Sequence, residues 1–252
     1  MRIISGARKG KQLQTLEGLD TRPTPDLVKG AVFNIIRPRV QGARVLDVFS
    51  GTGTLGIEAL SCGAKHASFV EGNLAAVALL KRNLHGIQAE RVSAVYALPA
   101  GKALKQMEKR GEQFEIVFLD PPFAFLKDCT ARMKDDFLSM GELIAVTREL
   151  LAPGGLLVLR YESGDALPTL AGFAPLSARS PARRYGRSTI ALCLRDDAAG
   201  AEYVFPRDED FRGHRPKNME QNVARRRGGA EGSESEDGSD DEAGGDGACD
   251  AS

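Results

Sequence analysis

Short apolar runs at 44–48, 67–71, 92–96, 114–119 and 155–161 punctuate the first 195 residues. Between them lie stretches at 54–61, 74–84, 102–109 and 140–150 whose apolar positions recur at helical spacing. Brief runs that are apolar on both faces read as strands of a parallel sheet covered on each side. Their alternation with helices predicts an α/β fold with a doubly wound, mostly parallel sheet of seven strands. Two late segments, 173–179 and 188–194, read as the antiparallel pair that closes it. At the front, 2–5 and 11–15 predict a small basic hairpin. A helix over 25–36 follows, with Thr24 as N-cap and Pro25 in its first turn.

From about Asp196 the apolar periodicity stops, and Gly, Ser, Asp, Glu and Arg dominate. Such a segment buries too little apolar surface to offset the entropy of ordering it, so a disordered tail is expected. The predicted organisation is a basic hairpin-and-helix extension (1–40), an α/β domain (41–195) and a tail (196–252) that is acidic at its end.

Charge changes the picture of the folded part. The chain carries 34 Lys and Arg against 34 Asp and Glu, yet nine of the acids lie in 231–252, which has no Lys or Arg. The first 230 residues therefore hold 34 basic and 25 acidic side chains, a net of +9. A basic body suits a polyanionic partner, although solvated positive faces are common. No apolar run approaches the roughly 18 residues of a membrane span, and residues 1–6 lack the long apolar stretch of a secretory signal. Four scattered cysteines (Cys62, Cys129, Cys193, Cys249) form no metal knuckle or redox pair. Together these features predict a cytoplasmic protein with reduced thiols and no metal.

Candidate chemistry gathers at strand ends. Val45 to Gly56 reads as a strand, a glycine loop and a helix start, with Gly51, Gly53 and Gly56 in the G-x-G-x-x-G spacing. That pattern alone suggests a dinucleotide. Glu71 ends the next strand, 20 residues after Gly51, where a carboxylate can take both hydroxyls of a ribose. Asp47 stands four residues ahead of the glycines, well placed for a cationic group, which a nicotinamide dinucleotide does not offer there. The ammonium of S-adenosyl-L-methionine does. Asp120-Pro121-Pro122-Phe123 follows the 114–119 run and sets acceptors beside a flat ring, because proline contributes no N–H. Such a patch can grip a planar group bearing an NH2. An ordinary strand-ending turn would also read as Asp-Pro.

Assembled, these residues resemble the bacterial 16S ribosomal RNA guanine-N2 methyltransferase family across 1–195. The opening Met1 to Gly6 with Lys9-Gly10-Lys11 is similar to the family's basic start. Thr21 to Asp26 and Val32-Phe33-Asn34 resemble its signature ahead of the first core strand. Asp47 to Gly53 with Gly56 to Ala59 resembles its cofactor motif, Phe69-Val70-Glu71 its ribose strand, Asp120 to Phe123 its catalytic motif and Arg184 to Ser188 its late hairpin. Three positions depart from the pattern: Gly30 replaces an acidic residue, Asn73 an Asp, and Pro99 the Asp or Asn that often meets the adenine amine. The last change would pass adenine recognition to a backbone group near Leu98.

The resemblance implies a Rossmann-like methyltransferase fold and a monomer that works on 16S ribosomal RNA, free or in an assembling small subunit. It implies Thr24, Asp47, Phe49, Gly51, Gly53, Glu71 and Asp120 as cofactor-binding residues, with Asp120, Pro121 and Phe123 as the catalytic set. Asp120 and the Pro121 carbonyl would accept the two N–H bonds of a guanine N2 amine, while Phe123 stacks the extruded base. Arg2, Arg8, Lys9, Lys11, Arg22, Arg184 and Arg187 would meet phosphates. Other readings stay open from residues alone: an adenine-N6 or other nucleobase methyltransferase on DNA or RNA, a nucleotide-binding oxidoreductase, or a non-catalytic RNA-binding module.

Overall fold

The computed structural model describes residues 1–16, 26–122, 138–163, 169–178, 181–198 and 200–206. Helix α1 (Asp26–Val40) precedes strand β1 (Arg44–Val48), and α2 (Thr54–Ser61), β2 (His66–Val70), α3 (Leu74–Gly86) and β3 (Ser93–Tyr96) follow. Next come α4 (Ala100–Lys109), β4 (Phe114–Leu119), α5 (Met140–Leu150) and the long β5 (Leu151–Glu162). Short strands β6 (Leu170–Ala171), β7 (Phe173–Pro175) and β8 (Ala182–Tyr185) lead to β9 (Ser188–Arg195) and β10 (Glu202–Tyr203).

The main sheet runs β3-β2-β1-β4-β5-β9-β7. Its first five members are parallel, and β9 lies antiparallel to β5. Strands β7 and β8 take successive stretches of the far edge of β9. The sheet is thus seven positions wide, with two short strands sharing the last. Strand alternation sorts the apolar residues onto two faces. Leu46, Val117, Leu119, Leu157 and Leu159 join α4 and α5 in one cluster. Val45, Phe69, Ile116, Phe118 and Val158 join α1, α2 and α3 in the other.

Several boundaries shift from expectation, with β5 beginning at Leu151 rather than Gly155 among them, and three of the differences have a clear physical cause. The front segment forms a single antiparallel bridge, Arg2 to Gln12, with backbone bonds Ile3 N–H to Lys11 O and Leu13 N–H to Met1 O beside it. Ile3 and Leu13 are buried in the second cluster, so the arm is held by side-chain docking more than by a ladder. Helix α1 runs through Pro38 to Val40. The bond that Pro38 forgoes would have used the carbonyl of Asn34, an exposed residue that water can serve, and the gain is a buried Val40. The expected cap Thr24 and Pro25 lie outside the described residues.

The third correction concerns the tail. Strand β10 pairs with β6, and Tyr203 and Phe205 are buried against Tyr161, with Tyr161–Phe205 and Tyr203–Phe205 ring centroids 5.3 and 5.0 Å apart. The Tyr203 hydroxyl donates to the Pro181 carbonyl at 2.8 Å. The folded part therefore passes the predicted boundary at 195 and includes these aromatics. Two large rings in a polar stretch make no periodic pattern, yet each brings enough apolar area to anchor the chain. Residues 207–252, with the acidic end, lie outside the described residues. Among the described residues, no helix is long and apolar enough to cross a membrane.

The arm's docking explains one unusual glycine in the motifs. Gly6 has φ +79°, and a Cβ there would sit 1.9 Å from the Ser61 carbonyl oxygen at the end of α2. No side chain fits that approach. Close by, Glu58 of α2 accepts from Ile4 N–H, Ser5 N–H and the Ser5 hydroxyl, and it pairs with Lys29 of α1 at 3.0 Å, both side chains fully buried. Gly30, next to Lys29, leaves room for Ile4, whose Cδ1 would lie 3.3 Å from an added Cβ.

Candidate active site

In the order β3-β2-β1-β4-β5, chain direction across the sheet reverses between β1 and β4, and ligands of such sheets bind at the carboxyl ends beside that switch. Asp47, Glu71 and Asp120 all stand there, at the ends of β1, β2 and β4. Backbone bonds continue the ladders past the strands: Ser50 N–H to Val70 O, Glu71 N–H to Tyr96 O, and Asp120 N–H to Val48 O at 3.0, 3.1 and 3.4 Å. These bonds hold the loops in register. Alternation also puts all three carboxylates on the sheet face that carries Val45, Phe69 and Phe118.

The glycine loop divides its labour. A Cβ on Gly53 would meet Leu80 at 2.3 Å, and one on Gly56 would meet the Phe69 ring at 2.3 Å, so these two serve packing. Gly51, at φ +55°, faces open space where a ligand can approach the backbone. Phe49 adopts φ 61°, a conformation that costs a non-glycine residue energy and recurs at functional turns. Glu71 Oε2 accepts from Gly51 N–H at 2.8 Å and Oε1 from Asn73 N–H at 2.7 Å, which orients a half-buried carboxylate beside the loop. Asn73, in place of Asp, caps α3 by accepting from Ala75 and Ala76 N–H. Pro99 is the N-cap residue of α4, and a Cβ on Gly72 would lie 3.9 Å from Leu98 O and from Pro99.

Asp47 is buried, and its Oδ2 accepts from Gly56 N–H at 2.8 Å. Desolvation pushes its pKa up to about 8, opposed by the Gly56 bond and reinforced by the negative charges of Asp120 and Glu71. No cation is paired with it among the described residues. An acid so placed is complementary to a cationic ligand. The same shift has a consequence for stability. Between the ordinary carboxylate range and about pH 8, the folded protein keeps a proton that the unfolded chain releases, so stability from this group is full in acid and lost as pH rises through about 8. Asp47→Asn retains an acceptor for Gly56 and should flatten that slope. At pH 8–9 the variant should melt about 2–4 °C higher than the parent in thermal scans, corresponding to roughly 1 kcal/mol.

Not every expected residue turns toward a ligand. Pro121 is buried and Pro122 exposed, whereas Phe123, Arg22 and Thr24 lie outside the described residues. Arg8 Nε donates to Ile87 O at 3.0 Å and Lys11 Nζ to Gly86 O, so both serve the carboxyl end of α3, where cations offset the helix dipole. Arg2 lies 3.6 Å from Asp26, and Arg187 pairs with Glu162 at 2.6 Å. Lys9 and Arg184 are exposed. Arg160 of β5, absent from the sequence-based set, donates from Nε to Asp120 Oδ1. It was legible as a lone charge in an apolar strand. Asn83 was also missed: its amide donates to Gln14 O and Thr52 O, tying the arm to the glycine loop.

A doubly wound sheet with a glycine loop, a second-strand Glu and Asp-Pro-Pro at the fourth strand defines a Rossmann-like methyltransferase. The chain belongs to the family described as conserved hypothetical protein 95, which matches residues 1–193. It is 34% identical over 192 residues to a Bacillus subtilis protein provisionally named rRNA methyltransferase YlbH, spanning 76% of this chain and 97% of that one. It is 36% identical over 125 residues to ribosomal RNA small subunit methyltransferase D of Haemophilus influenzae, covering 50% and 65% of the two chains. The solved structure of an Escherichia coli protein provisionally described as methyltransferase yhhF superposes with a TM-score of 0.64 at 31% identity, over 79% of this chain and 99% of that one.

Proposed function

We propose that the protein transfers a methyl group from S-adenosylmethionine to the exocyclic N2 amine of a guanine in 16S ribosomal RNA, acting in the cytoplasm on RNA or an assembling small subunit. The observation that carries this reading is the meeting of Asp47, Glu71 and Asp120 at the switch point of a methyltransferase sheet, in a chain whose relatives are named for ribosomal RNA methylation. The cofactor fits the residues present. Asp47 suits its ammonium, Glu71 its ribose hydroxyls, and the open backbone at Gly51 its close approach. When bound, it would supply an activated methyl group on a sulfonium.

The chain's own task is then to orient and to complement charge. A guanine N2 lone pair is delocalised into the ring, and acceptors on its two N–H bonds favour a pyramidal nitrogen. Asp120 and the Pro121 carbonyl are the proposed acceptors. As positive charge develops on nitrogen, the Asp120 carboxylate stabilises the transition state more than the ground state. Phe123 is the proposed stacking partner of the base. Lys9, Arg2, Arg22 and Arg184, with Arg8, Lys11 and Arg187, are the proposed phosphate contacts of the basic body.

Tritiated S-adenosylmethionine offered with small ribosomal particles, free 16S RNA and duplex DNA tests the reading. Label is expected in RNA only, and mass mapping should find N2-methylguanine. Label in adenine or in DNA would replace the proposed substrate. Calorimetry of cofactor binding at pH 7 in buffers of different ionisation enthalpy should show proton release, as the ligand cation draws the Asp47 pKa down from about 8.

A further inference from the structure

Parallel pairing of β4 with β5 sets Leu119 opposite Leu159, so the next rung brings Asp120 and Arg160 together at the carboxyl ends. Alternation puts Arg160 on the face of Leu156 and Val158, the face that also holds Asp120. Its neighbours Leu159 and Tyr161 are buried, and the guanidinium-bearing side chain is only 16% exposed, with its Asp120 partner 13% exposed. A cation in such a strand costs desolvation energy unless it is paired, and the Asp120 carboxylate provides the pairing. The carboxylate is in turn close enough to Asp47 of β1 to raise the pKa of that group. Crowded carboxylates resist ionising together. Glu162, two residues along β5, is paired with Arg187.

We infer that Arg160 is a positioning residue for the methyl transfer: its guanidinium keeps the Asp120 carboxylate ionised and fixes its orientation for accepting an amine N–H. This rests on the function proposed above. Arginine suits the task better than lysine because its planar fork fixes the direction as well as the charge of the interaction. A carboxylate has about four lone-pair directions on two oxygens, so a bond from Arg160 Nε to Oδ1 is compatible with a substrate bond to the same group.

Two measurements on the full-length protein test the assignment. The first needs no substrate: carbon-detected NMR titration of the aspartate carboxyls, with the Asp120 resonance identified by its loss in Asp120→Asn. In Arg160→Met the Asp120 midpoint should rise by about one pH unit or more, the effect of losing an adjacent opposite charge. Arg160→Lys should shift it less. An unchanged midpoint in Arg160→Met overturns the inference. The second follows methylation of small ribosomal particles. Turnover of Arg160→Met should fall on the order of 100-fold, comparable to loss of one preorganised electrostatic contact. Its KM for S-adenosylmethionine should stay within about twofold, because the interaction acts on the amine side. The acid limb of its pH–rate profile should move to higher pH, and Arg160→Lys should restore the limb while leaving turnover partly reduced. A uniform loss at all pH values, with Arg160→Lys no better than Arg160→Met, would reveal a packing role and overturn it too. If Arg160→Met fails to fold, Arg160→Gln carries the same comparison. A shifted NMR midpoint in a protein that methylates no RNA would sink the proposed function and leave the Asp120–Arg160 link standing.

Discussion

Asp120→Ala is expected to lower methyl transfer about 1,000-fold, the upper end of what removal of one preorganised electrostatic group costs. The substitution deletes the carboxylate proposed to complement the developing positive charge on the substrate nitrogen. It also relieves Asp47 of one of the two negative charges that raise its pKa, which offsets part of the loss of Asp120 from the cofactor-binding set, so cofactor affinity near neutral pH should fall far less than turnover. Turnover and affinity should therefore part company. Single-turnover assays with tritiated cofactor measure the first and calorimetry the second, while filter binding checks that RNA affinity survives. Activity within tenfold of the parent would remove Asp120 from the proposed chemistry. The control that matters is stability, since alanine leaves Arg160 partly buried without this ion-pair partner. Asp120→Asn keeps the volume, cannot hold a negative charge, and should remain severely impaired even where it is well folded.

The largest effect on stability is expected at Lys29. Its ammonium meets Glu58 at 3.0 Å with both side chains fully buried, and it also donates to the Arg2 carbonyl. Lys29→Met leaves the carboxylate buried without its cation, which typically costs about 3–5 kcal/mol. Urea unfolding should show that loss as a lower midpoint with little change in slope. Replacing both residues by apolar ones should not restore stability here. Glu58 also serves the Ile4 and Ser5 N–H groups, and an apolar side chain would leave those donors bare. The arm should loosen in either variant, and with it the tie from Gln14 through Asn83 to Thr52 of the glycine loop. A stability loss below about 1 kcal/mol would mean that the Lys29 cation adds little to arm docking beyond Ile3, Leu13 and the backbone bonds to Glu58 and Asn83.

Much of this was legible in the order of residues. Strands β1 and β4 and helices α2 and α5 fall at the predicted positions, because an apolar run between glycine, proline and polar punctuation leaves few alternatives. The glycine spacing, Glu71 and Asp120 were equally visible, since a parallel sheet delivers successive strand ends to one rim whatever the loops do. Boundaries that depend on distant partners were not visible. Helix α1 outruns its pattern through Pro38 because Val40 finds a place in the core. Tyr203 and Phe205 look like stray aromatics in a polar tail until Tyr161 is beside them.

Among the cations, sequence determined the net charge of the body and could not assign its parts. Arg8 and Lys11 read as phosphate contacts, and only tertiary structure shows that they also donate to the carbonyls at the end of α3. Arg160 drew no assignment from the sequence, and only the β4–β5 register joined it to Asp120. The physical reason is one of range. Periodicity and turn chemistry act over a few residues and are written locally, so the α/β fold and its rim of carboxylates could be read from the chain. The partner of a charge is decided by strand register and helix docking across 40 residues for Arg160 and 29 for Lys29 with Glu58, a choice that exists only once the sheet has closed.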